Sequence, residues 1–463
     1  MFYRLTDMFA LRAWKYANRA LYNRYAAAPL RLDRATFDVL LACDGEHDLS
    51  DGEQLVRLVE AGIIEPCSQG EKPSEWSRFR RFEHRFVPNM NLMLTGKCNY
   101  NCRHCFNAAE NADRMAEWRY GDVLDLLDQA ADCGFHGITL TGGEPMLHPH
   151  FLDIVHGIYQ RGMVLEKLTT NGYFITEEVL DEFARLRCRP QIKISFDGVG
   201  HHDWMRGARG IEARTLEAFA LCHDKGFRTF AQVQAFRGNL DALPDTLRVL
   251  EGIGVDCARI IRTIPLERWQ KNNPGGSLSA PEYFDEMLRL AERYLHGDHR
   301  MEVVMWMFLV LYPAYGAYSM IPVKDRDGAC RPTRAVCPGN RTMMAVTCEG
   351  NVVPCLQMGG HAAELGHPLE SLRGRSLKDI ITSGAWHDEV CANLHMLRKA
   401  NAECDACPWF GHCAGGCRAL AMLSGIERGE LPDYFATDPM ACLFFKGGWH
   451  DRVHERLADF HQV

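Results

Sequence analysis

The chain has 463 residues, more than one ordinary core accommodates, so two or three domains are expected. It is 47% hydrophobic and 24% charged, with a net charge of −8 and no basic block, which fits a globular chain and argues against nucleic acid as a partner. The opening residues lack the apolar core and cleavage site of a secretory signal, and Pro313 and several Tyr and Gly residues break up the most apolar stretch, 303–321; a cytoplasmic chain with no membrane span is expected.

Residues 1–70 read as a small module. "ALYNRYAAAPLRLD" (20–33) suggests two short strands around a small-residue turn. A helix follows over 34–45 with Phe37, Leu40 and Leu41 at helical spacing, then a second short helix ending at Gly62, then a strand. Hairpin, helix, helix, strand is the outline of a winged helix. Residues 71–90 are polar and basic with few aliphatics and read as a linker.

From 91 to 325 apolar or β-branched runs alternate with helical patterns. Strands are expected at 91–95, 137–141, 164–170, 191–196, 228–236 and 257–264, with helices between them, as at 120–134 and 176–187. Six such units imply an α/β fold, a parallel sheet closing partway into a (β/α)6 barrel. Reactive residues then belong on loops after the C-terminal strand ends.

The loop after the first strand reads "CNYNCRHCFN". It places Cys98, Cys102 and Cys105 as C-x3-C-x2-C. In a reducing compartment clustered cysteines are metal ligands rather than disulfides. Three thiolates can wrap one corner of an iron–sulfur cube and leave one iron open to a small molecule. The other reading is a zinc site with a distant fourth ligand, His104 for example. Further loops follow later strands: "TGGEP" (141–145), whose Gly142 and Gly143 permit close backbone approach and whose Glu144 can accept from a ligand ammonium; "TTNG" (169–172); and "SFDG" (195–198).

These residues strongly resemble the radical S-adenosylmethionine (radical SAM) superfamily. Its motif is C-x3-C-x-φ-C, with φ usually aromatic and here His104. The resemblance, over roughly 91–265, implies a [4Fe–4S] cluster on Cys98, Cys102 and Cys105 that binds SAM. It implies Gly142, Gly143 and Glu144 at the methionine amino group, Ser195 and Asp197 at the ribose or carboxylate, and Arg206, from "HDWMRG", as a candidate for the methionine carboxylate. Reductive cleavage of SAM to a 5′-deoxyadenosyl radical, fed by an electron donor such as flavodoxin or ferredoxin, is the activity implied.

Residues 326–447 hold Cys337, a glycine at 350, Cys355, then Cys404, Cys407, Cys413, Cys417 and Cys442. This resembles the SPASM domain, the auxiliary-cluster domain of radical SAM enzymes that modify peptides and proteins, with Cys330 as its upstream eighth ligand. By family likeness one auxiliary [4Fe–4S] cluster takes Cys330, Cys337, Cys355 and Cys417, and the other takes Cys404, Cys407, Cys413 and Cys442. Two zinc ribbons are the alternative. Cys348 sits where it could replace an assigned ligand, and 448–463 read as a tail.

The first module resembles the PqqD-like recognition element of peptide-modifying enzymes, which implies that a leader peptide adds a strand to its edge, expected at "ALYNRY" (20–25). The function implied is maturation of a ribosomally made precursor peptide by crosslinking or oxidation. The alternatives are a formylglycine-forming, sulfatase-maturase-like enzyme and an oxidoreductase acting on a small molecule. Sulfatase maturases carry Asp after the cysteine equivalent to Cys355, where this chain has Leu356.

Overall fold

A computed structural model describes residues 1–16, 18–50, 52–105, 107, 113, 115–358, 369–427 and 432–463, the side chains of 425–427 excepted. The first module contains β1 (Phe2–Leu5), β2 (Phe9–Trp14), β3 (Arg19–Asn23), β4 (Ala26–Arg31), α1 (Arg34–Ala42), α2 (Glu53–Glu60) and β5 (Ile64–Cys67). Asp33 caps α1 by accepting from Thr36 N at 2.8 Å. The hairpin and both helices match expectation, whereas β1 and β2 were not foreseen. In β2 the reason is burial on both faces. Leu11 enters the module's own core while Ala10 and Trp14 pack under Phe82 and Phe86, so polar alternation is missing.

Two expectations need correction. The segment 71–90 is not a free linker. It contributes β6 (Arg80–Phe82), which completes a sheet of order β4-β3-β2-β6, and it buries Ser77, Phe82, His84 and Phe86. Arg12 fastens it from inside, donating to Trp76 O at 2.6 Å and Arg78 O at 2.7 Å. Isolated aromatic and cationic residues do this packing, and a count of aliphatics misses them. Second, "ALYN" of "ALYNRY" lies on β3, one of the two inner strands, and not on an edge. The edge strands are β4 and β6; β4 touches the barrel at Ala26 and carries Pro29 and the exposed Leu30 further along.

The module docks under the barrel. Tyr22 stacks on His136 with ring centroids 4.2 Å apart, its hydroxyl donates to Gly134 O at 2.7 Å, and His136 Nε2 meets Ala26 O at 2.9 Å. His136 and Gly134 precede β8 (below), so the contact lies at the N-terminal strand ends, opposite the cysteine loop. Burial, with Arg12 adding to it, pushes the fully buried His136 down to about 4. Its folded value lies below its unfolded one. The contribution is therefore whole above about pH 6.5 and is lost as pH falls toward 4, roughly 3 kcal/mol in all. We expect the wild type to lose more stability than His136→Gln across that window in parallel melts. Identical pH profiles would show that His136 titrates freely.

The barrel strands are β7 (Asn89–Met93), β8 (Gly137–Thr141), β9 (Val164–Thr170), β10 (Gln191–Ser195), β11 (Thr229–Ala235) and β12 (Cys257–Arg262), all parallel and neighbours in that order. Helices between them, including α3 (Tyr120–Asp132), α4 (Phe151–Gln160) and α5 (Glu177–Arg185), cover the outside. The six expected strands appear within two residues at either end. The apolar stretch 303–321 is barrel core, as three further strands at Glu302–Met305, Leu309–Tyr312 and Ala317–Met320. Among the described residues no helix is long and apolar enough to cross a membrane.

The C-terminal part is knitted into the same sheet. The strand Met343–Val346 runs parallel to β7 on the opposite flank. The "tail" is structural too. Trp449 packs on Phe284 at 5.3 Å between ring centroids, and His461–Gln462 pairs with the strand at Ala317–Met320. Aromatic spacing in a short polar helix hides this docking from a reading of composition.

Candidate active site

The cysteine loop leaves β7 and is held from three sides. Arg103 donates to Met205 O and Trp204 O on α6 (His202–Arg206). From Glu267–Asn272, Arg268 donates to Cys102 O at 3.0 Å and Asn272 to Arg103 O at 3.0 Å. The third contact is the glycine pair. Gly143 N donates to Thr95 O at 2.6 Å and Glu144 N to Lys97 O at 2.8 Å. A Cβ on Gly143 would overlap the carbonyl oxygens of Gly96 and Lys97. The glycines therefore admit the cysteine loop's own backbone, and they also line the cavity beside it.

That cavity, of about 240 Å³, brings together Cys98, Cys102, Cys105, His104, Gly142, Gly143, Ser195 and Arg206. Asn171, Gln232 and Gln234 line it as well. The two glutamines were not predicted. Their signal was present, since polar residues two apart in an apolar strand share one face, and here that face is the barrel interior. Among the described residues the side chains of Ser195, Gln232 and Gln234 make no hydrogen bond, and His104 Nδ1 is buried without a partner. Three thiols beside unengaged polar groups fit an iron–sulfur cluster together with a polar, amphipathic ligand such as SAM.

Two expected ligand-binding residues lie behind the cavity wall. Glu144 is wholly buried and its oxygens accept from Thr170 Oγ1 at 2.8 Å, Asn171 N at 2.7 Å and Met146 N at 3.2 Å. Burial pushes it up to about 7 against those three bonds. It ties the "TTNG" loop to the "GGEP" loop. Asp197 is also fully buried. It accepts from Arg206 Nε at 2.6 Å and Nη2 at 3.1 Å, while His202 accepts from Asp197 N. Burial opposes its charge, but Arg206 and then His202 hold its pKa below the usual carboxylate range. Arg206 in turn points Nη1 at Cys102 Sγ, 3.7 Å away. Asp197 thus positions Arg206 rather than meeting a ligand itself.

In the C-terminal part Cys404, Cys407, Cys413 and Cys442 line one apolar cavity. Cys337, Cys355 and Cys417 act on one another electrostatically, and Cys330 packs on the same apolar cluster as Cys355 and Cys417. "CAGGC" (413–417) makes this possible. Ala414, Gly415 and Gly416 all have positive φ, and the turn sends Cys413 to one group and Cys417 to the other. Asp438 joins the groups, accepting from Cys417 N at 2.7 Å while capping the helix Pro439–Lys446 that carries Cys442. Cys348 stands apart, fully buried with its thiol toward Asp113 O. Among the described residues no cysteine is joined in a disulfide. Among the described residues no three His, Cys, Asp or Glu side chains converge closely enough for a single metal ion.

The profile of the radical SAM superfamily matches residues 92–250, and that of the SPASM iron–sulfur cluster-binding domain matches 337–408. A PqqA peptide cyclase from Gluconobacter oxydans is 25% identical over 80% of this chain and 95% of its own length. An AdoMet-dependent heme synthase from Methanosarcina barkeri is 24% identical over 76% and 95%. Among solved structures, Streptococcus suis SuiB bound to precursor peptide SuiA superposes with a TM-score of 0.62 at 12% identity, covering 95% of this chain and all of that one. The enzyme anSMEcpe with bound AdoMet gives 0.56 at 15% identity over 80% and 99%. The cysteine loop at the C-terminal end of a partial barrel and the thiol groups beyond it thus belong to a radical SAM enzyme with a SPASM domain.

Proposed function

We propose that this enzyme matures a ribosomally made precursor peptide. What carries the reading is the N-terminal module in its setting. The SuiB fold covers 95% of the chain where anSMEcpe covers 80%, an extra share of the size of residues 1–70. The PqqA cyclase relative acts on a peptide as well.

Cys98, Cys102 and Cys105 would hold the SAM-binding cluster, with Ser195, Gln232, Gln234, His104 and the backbone of Gly142 and Gly143 around SAM. Cys330, Cys337, Cys355 and Cys417 would hold one auxiliary cluster, and Cys404, Cys407, Cys413 and Cys442 the other. When bound and reduced, these groups supply a 5′-deoxyadenosyl radical for hydrogen abstraction. The chain's own contribution is placement. Arg206, fixed by Asp197, sets a positive charge beside Cys102. Glu144 locks two loops together so that the cavity wall does not shift. The barrel surrounds the reacting groups with fixed side chains instead of water. An electron donor of the flavodoxin or ferredoxin type and a cytoplasmic setting, where thiols stay reduced, complete the reading.

A leader peptide would add to β4, at the end of the barrel opposite the cysteine loop, and raise the local concentration of the core peptide into the millimolar range for a short link. Leu30 is 58% exposed on that edge. Leu30→Asp should weaken binding of a labelled full-length precursor about tenfold, since it places a charge on an apolar contact, and should leave a leaderless core peptide unaffected. Deleting residues 1–70 is the poorer test, because it bares Phe82 and His136. Equal precursor binding by wild type and Leu30→Asp would place the leader elsewhere. If no peptide stimulates 5′-deoxyadenosine formation, the small-molecule reading, favoured by the heme synthase relative, takes over. Leu356 still argues against formylglycine formation.

A further inference from the structure

Two cations stand inside the barrel without an anion. Lys193 lies on β10 two residues before Ser195, on the same face; its neighbours Ile192 and Ile194 are fully buried on the other. Arg259 on β12 is the register partner of Gln232 on β11. Ser195 and Gln232 line the cofactor cavity, so both cations face the lumen next to it. Among the described residues neither makes a hydrogen bond or an ion pair, and Arg259 Nε is buried with no partner.

Among the described residues no lumen carboxylate neutralises them, although the Cys355 and Cys417 thiols act on Arg259 electrostatically. Lys167 is taken by Glu166 at 2.5 Å. Glu302 stands in register with Cys257 and makes no ion pair, and the Tyr283 hydroxyl meets the carbonyls of Ile260 and Trp306. Burial, and after it the charge of Arg259, pushes Lys193 down to about 8. Two half-buried like charges with no carboxylate partner repel each other and are costly to hold. They are worth keeping where an incoming anion meets both, and a guanidinium and an ammonium facing one lumen beside a cofactor cavity suit a carboxylate.

On the peptide-maturase reading, we propose that Lys193 and Arg259 form a carboxylate subsite that anchors an acidic group of the substrate below the cofactor cavity. The carboxylate is either the side chain of an Asp or Glu in the core peptide or the peptide's own C-terminus. Anchoring there fixes the neighbouring residue against the cysteine loop, which is how a flexible peptide would present one C–H bond rather than several.

The test uses the reconstituted full chain with three probes. N-acetylglutamate α-methylamide carries only the side-chain carboxylate, N-acetylglutamine only the terminal one, and N-acetylglutamine methylamide neither. Binding is read by calorimetry and thermal shift in wild type, Lys193→Met and Arg259→Gln, with iron content and SAM affinity measured alongside. In the wild type one charged probe binds about tenfold tighter than the neutral one, and either substitution removes that preference. The probe that shows it tells side chain from C-terminus. Both variants also melt no lower than the wild type, because each loses a half-buried charge with no carboxylate partner. Equal preference in all three proteins overturns the subsite. So does a loss of SAM affinity, or of iron, with the probe preference unchanged; the cations would then serve the cofactor or the cluster near Cys355 and Cys417. If the preference depends on both residues yet no precursor peptide stimulates 5′-deoxyadenosine formation, the subsite stands and the peptide reading fails.

Discussion

Replacing Cys98, Cys102 and Cys105 together with Ala is expected to lower bound iron from about 12 to about 8 per chain and to abolish SAM cleavage. The loop leaves the barrel where its three thiols line one cavity, on a different element from the eight cysteines of the auxiliary set. Loss of that cluster should therefore spare the two auxiliary ones. The open iron exists only where three ligands, not four, are supplied, so no second site can take over. Colorimetric iron, zinc analysis and chromatographic detection of 5′-deoxyadenosine decide it. A triple variant that still forms 5′-deoxyadenosine, or a wild type that carries zinc in place of iron, would sink the assignment.

Asp197→Ala is expected to cost about 3–5 kcal/mol and to uncouple the cavity as well. Asp197 and Arg206 are 0% and 8% exposed, and the guanidinium is held by two carboxylate bonds. Removing the carboxylate leaves a buried cation whose remaining contact is the Cys102 thiol, together with an unanswered Gln234 N. Two consequences follow from that geometry. The protein should melt well below wild type, and what still folds should hold SAM more weakly because Arg206 no longer has a fixed place. The double variant Asp197→Leu/Arg206→Leu should recover part of the lost stability, since it removes both charges, and none of the activity. A single variant within about 1 kcal/mol of wild type would mean that water enters and solvates Arg206, and that the pair is not the wall described here.

Much of this was legible from residues alone, for a physical reason. A parallel barrel repeats a local pattern. Strand, loop and helix are each set by periodicity within some ten residues, so β7 to β12 could be read in order. The ligand loops follow strand ends by the rule of the fold. Thiol spacing is local as well; family likeness implies one group of Cys404, Cys407, Cys413 and Cys442, and these four line one cavity.

Other features are settled by pairing and burial between distant segments, which no local pattern encodes. β2 is buried on both faces, so it carries no alternation. Residues 71–90 are polar in composition yet held by Arg12, a partner some 65 positions away, at a cost that carbonyl contacts and the Trp76 ring offset. The tail is fixed by Trp449 on Phe284. The same holds at the site. The sequence alone identifies "GGEP" and "SFDG" as cavity loops, but which of their atoms face a ligand depends on what else competes for them. Glu144 and Asp197 are spent on Thr170, Asn171 and Arg206, because a buried carboxylate must be satisfied within the protein before any ligand arrives. Lys193 and Arg259 are the opposite case. Each reads as an ordinary polar residue in an amphipathic strand, and only closure of the barrel turns both inward without a carboxylate partner.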